Sequence, residues 1–374
     1  MKVLIAGDFL PKYRIQELID NRDYSMMNSI RSVTDRADYS IVNLECPIVT
    51  DGAKPIEKGG PNHGTTIGAV EAIKYAGFDC VTLANNHFRD FGDTGCCATI
   101  EGLRTYGLDI VGGGLNLNEA QKVMYKNIGG KILSVVNICE NEFSIATTTR
   151  AGSAPLDAID NYNQIIEARQ NSDYVLVIVH GGHEHYQLPS PRMKKTYRHF
   201  IELGADAVVN HHQHCYSGFE TFNGKPILYG LGNLCFDSEK KRSATWYEGY
   251  MVTIDFRDKY DIAISLQPYH QCKNGATISL MDNKDTEEFH NKIKELNSII
   301  SNDELLALEF DKFVDRIKRS VKLLFASYHN KYLNGAARRG YLPILISDRE
   351  MRINGNCIRC ESHLDVVQHV LFRE

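Results

Sequence analysis

Short apolar runs that end in polar, metal-competent residues recur along this chain. One run covers residues 174–179 and ends at His180, and another covers 205–209 and leads into the His-rich segment 210–214. Uninterrupted apolar runs of this length are typical of buried, parallel strands. In open α/β sheets, ligands collect beyond the carboxyl ends of such strands. Seven of the 14 histidines lie between His180 and His214, and histidine is the commonest protein metal ligand. The pattern therefore indicates a metal-dependent hydrolytic site.

Strand-like and helix-like segments alternate along the first 260 residues or so. Such alternation predicts a layered α/β architecture with right-handed crossovers. The predicted strands are 2–6, 39–43, 79–84, 108–111, 131–138, 174–179, 205–209, 226–230 and 250–256. The predicted helices between them include 66–75, 95–106, 162–170 and 194–203.

Composition excludes some partners. The chain is 43% hydrophobic and 24% charged, as is ordinary for a globular protein. Its net charge of −5 provides no general attraction to nucleic acid, and we expect no nucleic-acid partner. No stretch approaches the ~20 apolar residues of a membrane span, and the apolar N-terminal run is shorter than a secretory signal requires. We therefore expect a cytoplasmic protein without a membrane span.

The pattern becomes mainly helical after about residue 280. Apolar residues recur at helical spacing up to Ile300, and Ser301-Asn302-Asp303-Glu304 predicts a capping box at the start of a further helix. We therefore divide the chain into a catalytic domain, 1–280, and an α-helical C-terminal subdomain, 281–374. The apolar faces of these helices would also support a homodimer. The tight pair Cys357 and Cys360 is interpreted as two helix-face cysteines, since a zinc site needs more ligands.

The early strands supply the carboxylates that a metal site needs. The first strand ends at Asp8, and the second runs through Asn43 to Glu45. The third leads into Asn86 and His87, with Asp90 three residues further on. Because the carboxyl ends of parallel strands share one rim of a sheet, these side chains are expected to converge there with His180, His212 and His214.

The order of these motifs resembles the metallo-dependent phosphatase superfamily and, within it, the CapA family, which is linked to capsule and poly-γ-glutamate synthesis. The resemblance covers roughly residues 1–260 and does not extend over the helical tail. The matching blocks are Gly7-Asp8, Asn43-Leu44-Glu45-x-Pro47, Leu83-Ala84-Asn85-Asn86-His87-x-x-Asp90-x-Gly92, His180-Gly181-Gly182-x-Glu184, Gly204-Ala205-Asp206 leading into His212-x-His214, and Tyr229-Gly230-Leu231-Gly232-Asn233-x-x-x-Asp237.

The resemblance implies a four-layer α/β/β/α metallophosphatase-like sandwich with one or two divalent metal ions on its rim. The implied ligands are Asp8, Glu45, Asn86, His180, His212 and His214. This mixture of oxygen and nitrogen donors suits Mn, Fe or Zn. Such metals would lower the pKa of a bound water for attack on phosphorus.

The resemblance also implies a general acid, His87, whose tautomer Asp90 would hold through a hydrogen bond. The alternative is that His87 merely caps a turn. Further residues are expected to support the ligands or to contact substrate, namely Asn43, Glu184, His211, Arg192 and Asn233.

One departure from the pattern concerns the first strand. Metallophosphatases typically carry Asp-x-His there, whereas this chain has Asp8-Phe9-Leu10. The first metal position then keeps Asp8, Glu45 and His214, which leaves open whether two metals bind or one.

The expected function is a metal-dependent phosphoester hydrolase that acts on a phosphorylated small molecule or polymer. An alternative is a non-catalytic or amide-hydrolysing metal-binding component of polymer synthesis. The ligand set does not discriminate between them, because a metal-activated water also attacks carbonyl carbon.

Overall fold

The structure, a computed structural model, describes residues 1–324, 332–333, 336, 339–342 and 347–372, without the side chains of 318–324 and 372. Its strands are β1 Lys2–Phe9, β2 Tyr39–Leu44, β3 Cys80–Thr82, β4 Asp109–Val111, β5 Gly113–Gly114, β6 Met124–Ile128, β7 Lys131–Cys139, β8 Gly152–Ser153, β9 Tyr174–His180, β10 Ala207–His211, β11 Phe219–Phe222, β12 Lys225–Leu228, β13 Asn233–Cys235, β14 Glu248–Phe256, β15 Ile262–Gln271 and β16 Ile278–Leu280. The α-helices described are α1 Arg14–Asp20, α2 Asn28–Thr34, α3 Gly68–Tyr75, α4 Gly92–Thr105, α5 Leu117–Ala120, α6 Ala158–Asn171, α7 Pro191–Leu203, α8 Asn283–Ile300, α9 Asp303–Leu324, α10 Asp348–Arg359 and α11 Glu361–Phe372.

Two mixed sheets form the centre of the fold. Sheet 1 has the strand order β16-β15-β14-β1-β2-β3-β4, and β13 also pairs with β1. Sheet 2 has the order β11-β12-β10-β9-β7-β6. The pairs β1/β2, β2/β3, β7/β9 and β9/β10 are parallel, so the ends of these strands can supply side chains to a common rim.

The two sheets pack face to face, and helices cover both outer faces. In β1, Val3 and Ile5 join the cluster between the sheets, whereas Leu4 and Ala6 join the cluster beneath α1 to α4. Successive side chains of a strand point to opposite faces, which is why one strand serves two cores. In sheet 2, β9 does the same: Leu176 and Ile178 face sheet 1, while Val175, Val177 and Val179 pack against α6 and α7. This arrangement confirms the predicted four-layer α/β/β/α sandwich.

Every predicted strand and helix overlaps an observed one, with ends that differ by up to four residues, and the larger differences concern elements that the pattern did not indicate. The longest of these is β15, which pairs with β14 from Ile262 to His270. Most of its side chains are only partly buried, so it lacks the apolar run by which the other strands were found. Its place towards one edge of sheet 1 explains that composition.

The predicted helical C-terminal region is confirmed, and its helices cover sheet 2. Phe310 of α9 and Val366 of α11 lie in the same hydrophobic cluster as Val177 of sheet 2. A domain boundary near residue 280 stays a prediction. Within the described part of the chain, no helix has the length and apolar character needed to cross a membrane.

The capping box predicted at Ser301 is wrong, because α9 is capped one residue later by a single side-chain contact. The side chain of Asn302 accepts the hydrogen bond from Leu305 N at 3.0 Å, and Ser301 donates its hydroxyl to the carbonyl of Ser298 instead. A complete capping box starts α10, where Ser347 and Glu350 each bond the other's backbone N–H.

Candidate metal centre

The six predicted metal ligands come together at the rim where β1, β2, β3, β9 and β10 end. They belong to different strands or to the turns that directly follow them, and this is why they are far apart in the sequence. The ligands are Asp8 in β1, Glu45 after β2, Asn86 after β3, His180 at the end of β9, and His212 and His214 after β10.

The ligand atoms form two overlapping groups that share Glu45. In one group, Glu45 Oε1 lies 3.4 Å from His180 Nε2, and His180 Nε2 lies 3.1 Å from His212 Nδ1. Asn86 Oδ1 joins this group at 3.1 Å from His180 Nε2. The other group contains Asp8, Glu45 and His214, and within each His/acid trio the candidate ligand atoms lie within 4.8 Å of one another.

The environment of Glu45 fits a divalent cation. Both of its carboxylate oxygens are buried and have no hydrogen-bond partner. Burial, together with the neighbouring carboxylate of Asp8, raises the pKa of Glu45 well above its usual value. A buried carboxylate without a partner is expensive, and a metal ion between Glu45, Asp8 and the imidazoles would remove that cost.

Local backbone geometry positions the two histidines that follow β10. His212 and His214 have φ values of 93° and 53°, which non-glycine residues seldom adopt outside functional sites. The His212 N–H donates to Asp8 Oδ2 at 3.0 Å. A Cβ on Gly7 would lie 1.9 Å from the carbonyl oxygen of Gly232. Only glycine at position 7 therefore lets β1 approach the loop that contains Gly232 so closely.

Predicted supporting residues orient the ligands. Asn43 Nδ2 donates to Asp8 Oδ1 at 2.7 Å, and Asn233 Oδ1 lies 2.9 Å from His214 Nδ1. The second contact leaves Nε2 of His214 to face Glu45, at 3.8 Å from Oε1. His211 points elsewhere, with its Nε2 3.0 Å from the carbonyl oxygen of Ala6.

His87 forms a buried cluster with Asp90 and Lys58. His87 Nδ1 lies 2.6 Å from Asp90 Oδ2, while the Lys58 ammonium contacts Asp90 Oδ1 and lies 3.1 Å from His87 Nδ1. The backbone N–H of His63 also donates to Asp90, at 2.7 Å. Burial raises the pKa of Asp90 to about 6, even though Lys58 opposes the rise. Sequence reasoning missed these contacts of Lys58 and His63, because both lie in the irregular segment between β2 and α3.

Two of the predicted residues occupy different surroundings. Glu184 lines a cavity beside Asn86 and His87. Arg192 does not line that cavity: its guanidinium pairs with Glu140 Oε1 and Asp365 Oδ2, each at 2.7 Å. The prediction that Arg192 supports the ligands or contacts substrate is therefore wrong. Its guanidinium instead links Asp365 of α11 to Glu140 of the main domain.

The fold and the rim define a class of protein: an α/β/β/α sandwich with carboxylate, amide and imidazole donors gathered where its parallel strands end. The profile of one family, described as bacterial capsule synthesis protein PGA_cap, matches residues 2–238. The chain belongs to this family. The match spans every predicted ligand and ends before the C-terminal helices.

Individual proteins with similar sequences have names that match this family. Capsule biosynthesis protein CapA from Bacillus anthracis is 28% identical over 278 residues, which cover 72% of this chain and 67% of that protein. PGA biosynthesis protein CapA from Bacillus subtilis (strain 168) is 27% identical over 275 residues, covering 73% and 67%. Among solved structures, a hypothetical protein from Thermus thermophilus aligns with a TM-score of 0.46 and 16% identity, over 72% of this chain and 99% of that one.

Proposed function

We propose that this protein is a metal-dependent phosphoester hydrolase. The observation that supports the proposal is the Glu45 carboxylate, which is buried, has no partner and is shared by two groups of candidate ligands. A site of this kind next to a buried His–carboxylate pair would combine a metal position with a group that can move a proton.

The proposed chemistry divides between the metal and the protein. When bound, one or two divalent ions, Mn, Fe or Zn, would lower the pKa of a coordinated water and neutralise phosphoryl oxygens. Asp8, Glu45, Asn86 and the three imidazoles would hold them. Asp90 accepts from Nδ1 of His87, so the doubly protonated ring would hold its second proton on Nε2 and give it to the leaving oxygen.

Manganese-stimulated hydrolysis of p-nitrophenyl phosphate and bis(p-nitrophenyl) phosphate tests the proposal. We expect His212→Ala to abolish the activity and His87→Ala to lower kcat by roughly 10²-fold or more, the usual contribution of a general acid. His199→Ala is the matched control, because His199 lies exposed on α7 and should leave the rate unchanged. A chain that binds metal but hydrolyses no ester in a broad panel would refute the proposal.

A second candidate function follows from the family. The relatives are named for capsule and PGA biosynthesis, so a non-catalytic or amide-hydrolysing component of polymer synthesis is the alternative. Polymer production that is unaffected by His87→Ala would favour a non-catalytic component. Release of glutamate from γ-glutamyl peptides, with no ester hydrolysis, would favour the amidase. The cytoplasmic location and the homodimer stay predictions.

A further inference from the structure

A cavity of about 310 Å³ opens beside the candidate metal centre, and the C-terminal helices build one of its walls. Asn86, His87 and Glu184 line the side towards the metal ligands. The opposite side includes Asn356 of α10 and His363 of α11. The volume is at the lower end of the range for small-molecule sites. The position next to His87 is where the leaving group of a bound ester would lie.

The wall is firmly attached to the body of the protein. The Glu361 carboxylate accepts from Asn141 N at 2.8 Å, and Ser362 Oγ donates to Glu140 at 2.8 Å. Arg192 bridges Glu140 and Asp365. Burial by itself would raise the pKa of Glu140, but Arg192 and Ser362 hold it at about 2. These contacts position α10 and α11 over the cavity.

A loop of the main domain meets α10 at the mouth of the cavity. A Cβ on Gly59 would lie 2.6 Å from the Ile353 side chain, and Arg352 Nη1 pairs with Glu57 Oε2 at 2.8 Å. The loop and the helix therefore border the cavity together, and the helix lies outside the matched family region, residues 2–238.

The charges around the cavity restrict what it can hold. Glu142 and Glu184 each contribute a carboxyl group, and Glu142 Oε2 accepts from Asn356 Nδ2 at 3.1 Å. Among the described residues that line the cavity, Lys58 is the permanent cation, and it is buried against Asp90 with only 3% of its side chain exposed. With the metal ions occupied by the phosphate of the substrate, a second anionic group in this cavity would face two carboxyl groups with little compensation.

Resting on the proposed function, we propose that this cavity binds the leaving group of the substrate and selects hydroxyl- or amine-bearing groups over carboxylate-bearing ones. Glu142, Glu184 and Asn356 would accept or donate hydrogen bonds to such a group. The carboxyl groups of Glu142 and Glu184 would repel a chain of glutamates on this side of the metal centre. The C-terminal helices thereby determine specificity for a site whose metal ligands lie elsewhere.

The test compares three phosphate monoesters of one carbon skeleton: glucosamine 6-phosphate, glucose 6-phosphate and 6-phosphogluconate. Occupancy of the cavity is measured by protection of Cys357 from alkylation in the manganese-loaded full chain. Cys357 lines the cavity and is half-buried, and Cys97, also half-buried, is an internal control that lies outside it. A unit charge roughly 6 Å away in a half-buried cleft changes binding by about tenfold.

We expect glucosamine 6-phosphate to protect Cys357 at about tenfold lower concentration than 6-phosphogluconate, with glucose 6-phosphate between them. Glu142→Gln should narrow that gap, whereas Glu288→Gln, which removes an exposed charge on α8, should leave it unchanged. Equal protection by all three esters, or by none, overturns the proposal.

Hydrolysis measured in parallel separates this inference from the proposed function. Selective protection without turnover of any ester would sustain the cavity assignment and refute the hydrolase. Turnover of all three esters with equal protection of Cys357 would support the hydrolase and refute the cavity assignment.

Discussion

Replacement of Glu45 by glutamine tests the metal centre most directly, because Glu45 is the residue that both ligand groups share. Without metal, its carboxylate has no partner and a pKa well above the usual 4.5. A group whose pKa is raised on folding lowers stability as pH rises above its unfolded value. Leaving a buried polar group without a hydrogen-bond partner costs roughly 1–3 kcal/mol, and both carboxylate oxygens of Glu45 lack one.

Two changes in the free energy of unfolding are therefore expected, one without metal and one on metal binding. The metal-free Glu45→Gln chain should be more stable than the metal-free wild type, by roughly 1–3 kcal/mol. The wild type should gain about 4 kcal/mol from metal at 1,000 times its Kd, whereas the variant should gain little. Urea unfolding of chelator-treated and manganese-loaded protein measures both changes, with Glu288→Gln as the control. A variant that keeps the full metal-induced gain, or that is much less stable without metal, would refute the assignment of Glu45.

Three further outcomes follow from other contacts. Asp90→Asn should lower kcat by roughly 10²-fold with little change in KM, because the acceptor that holds the His87 tautomer loses its negative charge; steady-state kinetics decide this, and an unchanged kcat would contradict it. Elemental analysis of His214→Ala should show one metal ion fewer per chain than the wild type, since His214 belongs to only one ligand group; loss of every ion would contradict two separable positions. The pKa of Glu140 is about 2 in spite of its burial, because of Arg192, so Glu140 stabilises the fold above its unfolded pKa of 4.5 by about 3 kcal/mol. That contribution should disappear as pH falls from 4.5 towards 2, and Glu140→Gln should flatten this fall in urea-unfolding titrations; an equal pH slope would count against it.

The sequence by itself located nine of the strands and the polar residues that follow the buried ones. Buried parallel strands need uninterrupted apolar runs, and such runs are visible without any tertiary information. Because ligands collect beyond the ends of such strands, Asp8, Glu45 and His180 could be grouped before any distance was known. β15 was missed because a partly exposed strand carries no such run.

Only the tertiary structure decided how the surroundings of the centre are built. Lys58 contacts Asp90 from an irregular loop, which has no periodicity to interpret. Arg192 looked available for substrate, yet it pairs with Asp365, which lies 173 residues away in the sequence. Asn356 lines the cavity because α10 packs over it. Side-chain pairing across such distances depends on which helix faces meet, and a single sequence specifies each face but not its partner.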